Sequence, residues 1–383
     1  MGRGNAISMT AETVLIAAFS GRALAQSARR AGYVPPVADA FGDTDTRNAA
    51  HDVRVVDDAM ATGFRAKTLI AALDALVASA PTNPIGLVVG SGLEDKLRLV
   101  EILDHRYTLL GCAPDVMRQC KDPLIFFPVL DELGIAHPET RVTPPADCST
   151  WLTKRIGGSG GRHIRNCAAT ASAKPRRYFQ KCIDGDRISV SALIAHDGIA
   201  TSFSRQWTSP SAQMPFRYGG AVSLPESETP AAQTMLSAVD RLARAFDLKG
   251  LVSFDFIVDG DRPYLLEINP RPGATLDVFD DDQGTLFKGH IEASRGEPLD
   301  RRGGDLTHAR AAAILHADRG PLTLGNYDWP DWSADRGAVG TLVPEGAPLA
   351  TVFGEADTPD AAVALARTRL ATLESLLYER PKT

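Results

Sequence analysis

Two neighbouring apolar runs, LVSFDFIVDG at residues 251–260 and PYLLEINP at residues 263–270, constrain this chain more than anything else in it. Each suits one strand, and the short turn at 259–262 predicts an antiparallel hairpin. Side chains on a strand alternate between faces, so Glu267, Asn269 and Arg271 share one face of the second strand. Asp255 lies on the first strand. The apolar neighbours place the hairpin in a core, where a row of polar side chains is costly without a binding partner. With Asp255 turned the same way, two carboxylates and an amide oxygen converge. That is a hard-oxygen site suited to Mg²⁺ carrying nucleotide phosphates. Arg271 would set a fixed cation beside those phosphates. The opposing reading is a surface hairpin with solvated charges, and the flanking runs LVSF and YLL count against it.

A second signal lies upstream, where Lys154 precedes Gly157, Gly158, Ser159, Gly160 and Gly161. Glycines let backbone approach phosphate closely and offer it N–H groups. No G-K-[ST] follows, so this is not a Walker A loop. Glycine-rich stretches are often only connectors; Lys154 and the downstream hairpin favour the phosphate reading. Between the two signals, residues 178–186 read as a strand ending in a glycine turn. Its backbone at Lys181 and Ile183 could meet an adenine edge, and Asp186 could accept from ribose hydroxyls. Taken alone, the segment reads as a plain strand and turn.

The rest of the chain sets the frame. Apolar strands at 14–19, 33–41 and 85–90 alternate with helices at 22–31 and 67–79, the pattern of a doubly wound, mostly parallel sheet. Gly21 and Gly32 read as turn and cap residues, since no G-x-G-x-x-G follows the first strand. Prolines punctuate the sequence from about 110. Strands are expected at 187–195 and 200–207, a helix at 231–246, then a tail with a strand near 309 and a last helix over 359–377. Residues 1–10 read as a loose leader.

At 383 residues and a net charge of -6, without any long Lys/Arg run, the chain shows no nucleic-acid footprint, and local cations must hold any anionic substrate. Its five cysteines are scattered without a C-x-x-C pair, which argues against a disulfide framework and a zinc site. No apolar run is long enough for a membrane span, so the expectation is a cytoplasmic protein.

The order of these elements resembles the ATP-grasp superfamily: a lysine, a lysine with a glycine-rich loop, an adenine-hinge strand, then D…E-x-N-x-R. The resemblance covers essentially the whole chain. It implies an α/β ATP-grasp fold in three parts: a Rossmann-like preATP-grasp domain at 1–118, an ATP-grasp domain with its lid at 119–303, and a small C-terminal α+β region at 304–383. It implies ATP and Mg²⁺ as cofactors. Lys121 and Lys154 would contact the ATP phosphates, and Gly157–Gly161 would form the phosphate lid. Gln180, Lys181 and Ile183 would meet adenine, and Asp186 the ribose. Gln180 stands where the superfamily commonly has Glu. Asp255, Glu267 and Asn269 would bind Mg²⁺, while Arg271 and Lys154 would stabilise the transferred phosphoryl group.

Within the superfamily the chain resembles carboligases related to biotin carboxylase, a group that includes the tyramine–glutamate ligases of methanofuran biosynthesis. Looser segments carry this: SGRALAQSARRAGY, ADAFGDTDT, GSGLED, the run from Asp122 to Leu130, and EINPRPGATLD. The resemblance implies an ADP-forming ligase that activates a small carboxylic acid as an acyl phosphate and joins it to an amine, and the tyramine–glutamate ligase likeness implies a place in C1-carrier cofactor biosynthesis. Arg205, Tyr218 and Asp277 are the candidate substrate contacts, each also readable as an ordinary ion-pair or turn residue. A bicarbonate-using carboxylase, a phosphotransferase and a nucleotide-binding regulator without turnover remain as other readings. A homo-oligomer stays open.

Overall fold

A computed structural model of the chain describes residues 11–57, 59–168, 176–299 and 307–379. The expected leader at 1–10 lies outside the described residues.

The chain opens with a parallel sheet in the order Val53–Val55, Val37–Asp39, Leu15–Ala17, Leu87–Val89. Its central strand is apolar on both faces. Leu15 and Ala17 pack against Leu69, Leu73 and Leu76 of the helix Ala66–Ser79. Val14 and Ile16 pack against Leu24, Ala25 and Ala28 of the helix Arg22–Arg30. A sheet covered on both faces explains why these strands read as continuous apolar runs. The edge strand Val53–Val55 is largely exposed and carries Arg54 at its centre, so no apolar run announced it.

The main sheet has eight antiparallel-paired strands, in the order Arg262–Asn269, Gly250–Asp259, Asp186–Ala195, Gly198–Thr208, Tyr218–Leu224, Ala309–His316, Pro348–Ala356, Ser333–Ala334. The helix Ala232–Ala245 lays Met235, Val239 and Leu242 on one face, against Val190, Val252, Phe254 and Phe256. Three apolar residues at spacings of four and three form one stripe, so the helix and sheet share a core. On the other face, Leu193 and Leu251 meet Phe287 and Ile291 of the helix Thr285–Ser294, and the same cluster reaches Val14 and Ile16 of the first sheet. His290 on that helix is fully satisfied: its Nδ1 accepts from Leu251 N at 2.9 Å, and its Nε2 reaches the Leu110 carbonyl at 3.0 Å.

The tail is not a layer of its own. Tyr218–Leu224 pairs directly with Ala309–His316, so the main sheet runs through the expected boundary near 304. The last helix, Pro359–Glu379, buries Ala362, Ala366, Leu373 and Leu377 beneath these added strands.

A small sheet, in the order Thr140–Arg141, Arg177–Lys181, Trp151–Arg155, Arg165–Asn166, projects the glycine segment from the connection between its last two strands. Here the cysteine expectation needs correction. Cys148 and Cys167 are joined, with Cα atoms 5.2 Å apart. The pairing of Trp151–Arg155 with Arg165–Asn166 brings together residues 19 apart, and spacing alone could not show that strand return. No helix among the described residues is long and apolar enough to cross a membrane.

Candidate active site

The hairpin forms as expected, with Asp255 directly opposite Glu267 and Ser253 opposite Asn269. Opposed residues of an antiparallel pair share a face, so both carboxylates and the amide line one wall. They also line a cavity of about 770 Å³ that lies between the main sheet, the small sheet and the first domain.

A hydrogen-bond chain fixes this wall. Ser189 Oγ donates to Asp255 Oδ1 at 2.7 Å, and Gln206 Nε2 donates to the same oxygen at 3.3 Å. Asn269 Nδ2 donates to Asp255 Oδ2 at 3.0 Å, which turns its own oxygen outward. That oxygen receives Lys121 Nζ at 2.7 Å, and Lys121 Nζ lies 3.6 Å from Glu267 Oε2. Lys121 ends the helix Pro114–Lys121 just before the Asp122 cap of the next helix, which is why a remote lysine reaches the wall. Burial and the neighbouring Glu267 hold the Asp255 carboxyl above its ordinary value. Burial would also raise Glu267, but Lys121 and Lys154 hold it below its ordinary value. Burial lowers the Lys154 ammonium against the pull of Glu267 and Asp255.

The donor set fits a divalent cation. An ammonium already stands between the Asn269 and Glu267 oxygens, so the pocket is organised around positive charge. Two carboxylates and one amide cannot enclose a hard cation alone, and among the described residues no group of three or more His, Cys, Asp or Glu forms a cage. Such a site leaves coordination positions for phosphate oxygens and water.

Arg271 is buried beside the wall, and its Nε donates to Glu94 Oε1 at 2.7 Å. The other Glu94 oxygen accepts from Gly92 N at 2.7 Å. Glu94 therefore ties the loop at 92–94 to the hairpin wall of the cavity. The segment GSGLED contained it, but nothing in a lone Glu pointed to a partner 177 residues away.

The glycine segment lies folded over the cavity. Ser159, Gly160 and Gly161 line it, while Gly157 and Gly158 border a small adjoining pocket beside Lys121 and Glu267. Gly157 has φ +70°, and a Cβ there would come within 2.5 Å of the Glu94 carbonyl. Gly161 has φ +67° and would meet the Phe216 carbonyl. Both positions need glycine for backbone conformation and for close approach. His163, just beyond, was not anticipated. Burial, only partly opposed by Glu267, pushes it down to about 4, so it faces the wall as a neutral ring.

On the hinge strand, Gln180, Lys181 and Ile183 all border the cavity. Gln180 is buried and donates to Thr140 Oγ1 at 3.2 Å. The Lys181 N–H, expected at an adenine edge, is instead taken by the Glu139 carbonyl at 2.8 Å. Asp186 does not border the cavity. It is exposed, and Arg187 takes the cavity side because successive residues of the strand alternate faces.

Of the three substrate candidates, only Tyr218 borders the cavity. Burial, with Asp255 and Asp277 nearby, raises its hydroxyl above the ordinary value. Arg205 is corrected: it pairs with the exposed Asp360 on the last helix, and its neighbour Gln206 faces Asp255 instead. Asp277 is corrected too. It is held by both terminal nitrogens of Arg22, one at 2.6 Å, and Arg22 also binds Asp335 through Nε at 2.9 Å.

Residues 120–275 match the family model described as ATP-grasp domain. The carbamoyl phosphate synthase large chain of Thermoanaerobacter pseudethanolicus is 22% identical over 250 residues, covering 58% of this chain and 23% of that protein. The chain thus spans about a quarter of the length of the curated relatives it matches. Among solved structures, the biotin carboxylase domain of Hydrogenobacter thermophilus 2-oxoglutarate carboxylase, in complex with MgADP, ADP and bicarbonate, superposes with TM-score 0.71 at 15% identity, covering 95% of this chain and 90% of that one. The L-amino acid ligase of Bacillus licheniformis superposes with TM-score 0.68 at 12% identity, covering 94% and 97%. The likeness establishes the fold across nearly the whole chain.

Proposed function

We propose, starting from the premise that this chain has the ATP-grasp fold with an ATP-grasp domain at 120–275, that it is an ADP-forming ligase joining a small carboxylic acid to an amine. One observation carries the reading: Asp255, Glu267 and Asn269 converge with Lys121 on one wall of a roofed cavity that Lys154 and Arg271 also line or adjoin. A binder without turnover has no need of so many buried cations around a metal-ready wall. ATP and Mg²⁺ are the proposed ligands, taken up mainly by the unit at 119–303. Asp255, Glu267 and Asn269 would hold Mg²⁺, which when bound would neutralise phosphate charge.

In the first step, a carboxylate oxygen of the acid attacks the γ-phosphorus, the bond to the bridging oxygen breaks, and ADP leaves. Lys121, Lys154 and Arg271 screen the charge on the transferred group, so the protein contributes position and electrostatics. In the second, the amine attacks the acyl carbon, phosphate leaves, and the amine nitrogen loses a proton. The glycine segment, folded onto Glu94 and Phe216, shields the acyl phosphate from water. Gln180 and Ile183 would flank the adenine.

The finer proposal is glutamate as the acid, with tyramine or an amino acid as the amine, in a cytoplasmic cofactor pathway. It rests on the subfamily resemblance, with Tyr218 beside the cavity as its aromatic support. The second reading is a carboxylase, favoured by the bicarbonate in the Hydrogenobacter neighbour.

The test is ADP release measured with acid alone, amine alone, bicarbonate, and acid plus amine. Release that requires both acid and amine supports the ligase, and Glu267→Gln or Asn269→Ala then lowers it about 100-fold with circular dichroism unchanged. Release with bicarbonate alone points to the carboxylase. Full activity in either variant removes the metal assignment. No product from glutamate with tyramine or tyrosine removes only the finer proposal.

A further inference from the structure

The cavity contains more positive charge than its phosphate wall uses. Its C-terminal part is lined by Trp207, His316, Leu324 and Leu349, with Arg162 reaching in from the lid segment. Three basic side chains gather there: Arg162, Arg217 and His316. Arg217 is already occupied. It is fully buried, binds both oxygens of Asp318 at 2.9 and 2.6 Å, and donates to the Ser209 and Gly346 carbonyls. Asp318 also acts on His316, and Arg217 takes both of its oxygens.

Arg162 is in a different position. Its guanidinium is half-buried, and among the described residues no carboxylate lies within ion-pair distance of it and no hydrogen bond engages it. His316 is buried; the Ile314 carbonyl meets its ring, and among the described residues its Nδ1 has no hydrogen-bond partner. Both groups are under electrostatic pressure. Burial and then Arg217 lower the Arg162 guanidinium. Burial, Arg217 and Arg162 push His316 down to about 4. A cation and a polar nitrogen removed from water without partners are unfavourable in the free protein. An oxyanion would satisfy both: a guanidinium binds carboxylate or phosphate with two N–H groups, and the imidazole, protonated beside the anion, supplies a third while its other N–H keeps the Ile314 carbonyl.

We propose that Arg162 and His316, beside the Trp207 ring, form a subsite for an oxyanion on the small-molecule substrate, apart from the group that reacts. The proposal rests on reading the cavity as a ligase active site. It requires a substrate with two anionic ends, or with one anionic and one reacting end: a dicarboxylic acid, or a phosphorylated acceptor. It also transfers the substrate's anion from Arg205, which lies outside the cavity, to a lid arginine, so that lid closure and substrate recognition become one event.

Isothermal titration of the full chain tests this, with glutarate and inorganic phosphate as probes, each with and without Mg²⁺ and a non-hydrolysable ATP analogue. At least one probe is expected to bind saturably, with affinity falling about tenfold or more in Arg162→Gln and also in His316→Gln, the loss typical of a charge-assisted contact. Binding of glutarate alone identifies a carboxylate, and binding of phosphate alone identifies a phosphorylated substrate; either supports the proposal. No saturable binding of either probe, or affinities in Arg162→Gln equal to the parent chain, overturns it. The analogue is titrated separately. If it fails to bind, the ligase reading fails, whatever the anion result.

Discussion

The contact between Glu94 and Arg271 joins the loop at 92–94 to the hairpin end of the cavity, and its removal has a calculable cost. Both side chains are buried, and the nitrogen–oxygen separation is 2.7 Å. Coulomb's law with an effective dielectric of about 20 gives an attraction of about 6 kcal/mol at that distance, most of which offsets desolvation. Removing one partner leaves the other as an uncompensated buried charge, at a cost of about 3–5 kcal/mol. Burial alone would raise the Glu94 carboxyl, yet Arg271 and then Lys121 hold it below its ordinary value, so the ionised pair is the stable form. Glu94→Ala and Arg271→Met should each lose about 3–5 kcal/mol in urea unfolding. The double variant should lose no more than the worse single variant, a coupling of about 3 kcal/mol. Additivity within about 0.5 kcal/mol would refute the argument, because it would mean the two charges do not depend on one another.

His290 makes the fold acid-sensitive. Burial holds its ring down at about 4, against an ordinary value of 6.5, so below that ordinary value the unfolded chain binds a proton that the folded chain refuses. Stability fully present above pH 6.5 is therefore lost as pH falls toward 4, by about 3 kcal/mol. Urea unfolding from pH 7 to 4 should show this, and His290→Gln should reduce the loss by about 3 kcal/mol, leaving the parts due to His163 and His316. Arg205→Ala should change stability by no more than about 0.5 kcal/mol and leave the KM for the acid unchanged, since its partner Asp360 is solvent-exposed; a large rise in that KM would return Arg205 to the substrate site.

Legibility in the sequence followed the range of each interaction. The hairpin wall was readable because Glu267 and Asn269 are spaced by two on an apolar strand, a local rule that packing did not disturb; Arg271 lies past the strand's end at Asn269, in a bend, and the two-residue rule does not reach it. Lys121 was placed by the family resemblance, and the helix Pro114–Lys121 brings it to Asn269. The failures concern parity and distance. One residue of register separates Arg205 from Gln206, and Asp186 from Arg187, and a strand read only as strand-like does not say which member of each pair faces inward. Asp277 belongs to Arg22, Arg271 to Glu94, and Cys148 to Cys167. Each pairing depends on topology rather than on nearby sequence. The tail looked separate because its strands follow a long irregular stretch, yet their pairing with Tyr218–Leu224 makes them part of the main sheet.

Arg22 also constrains how the chain is made. It is buried, and its two carboxylate partners lie 255 and 313 residues later. A ribosome finishing the first parallel sheet has produced the guanidinium but neither counterion. Val14 and Ile16 likewise await Phe287 and Ile291. The first domain therefore emerges with an apolar face and a cation that the nascent chain cannot yet cover. Its final closure waits until Asp335 has left the exit tunnel.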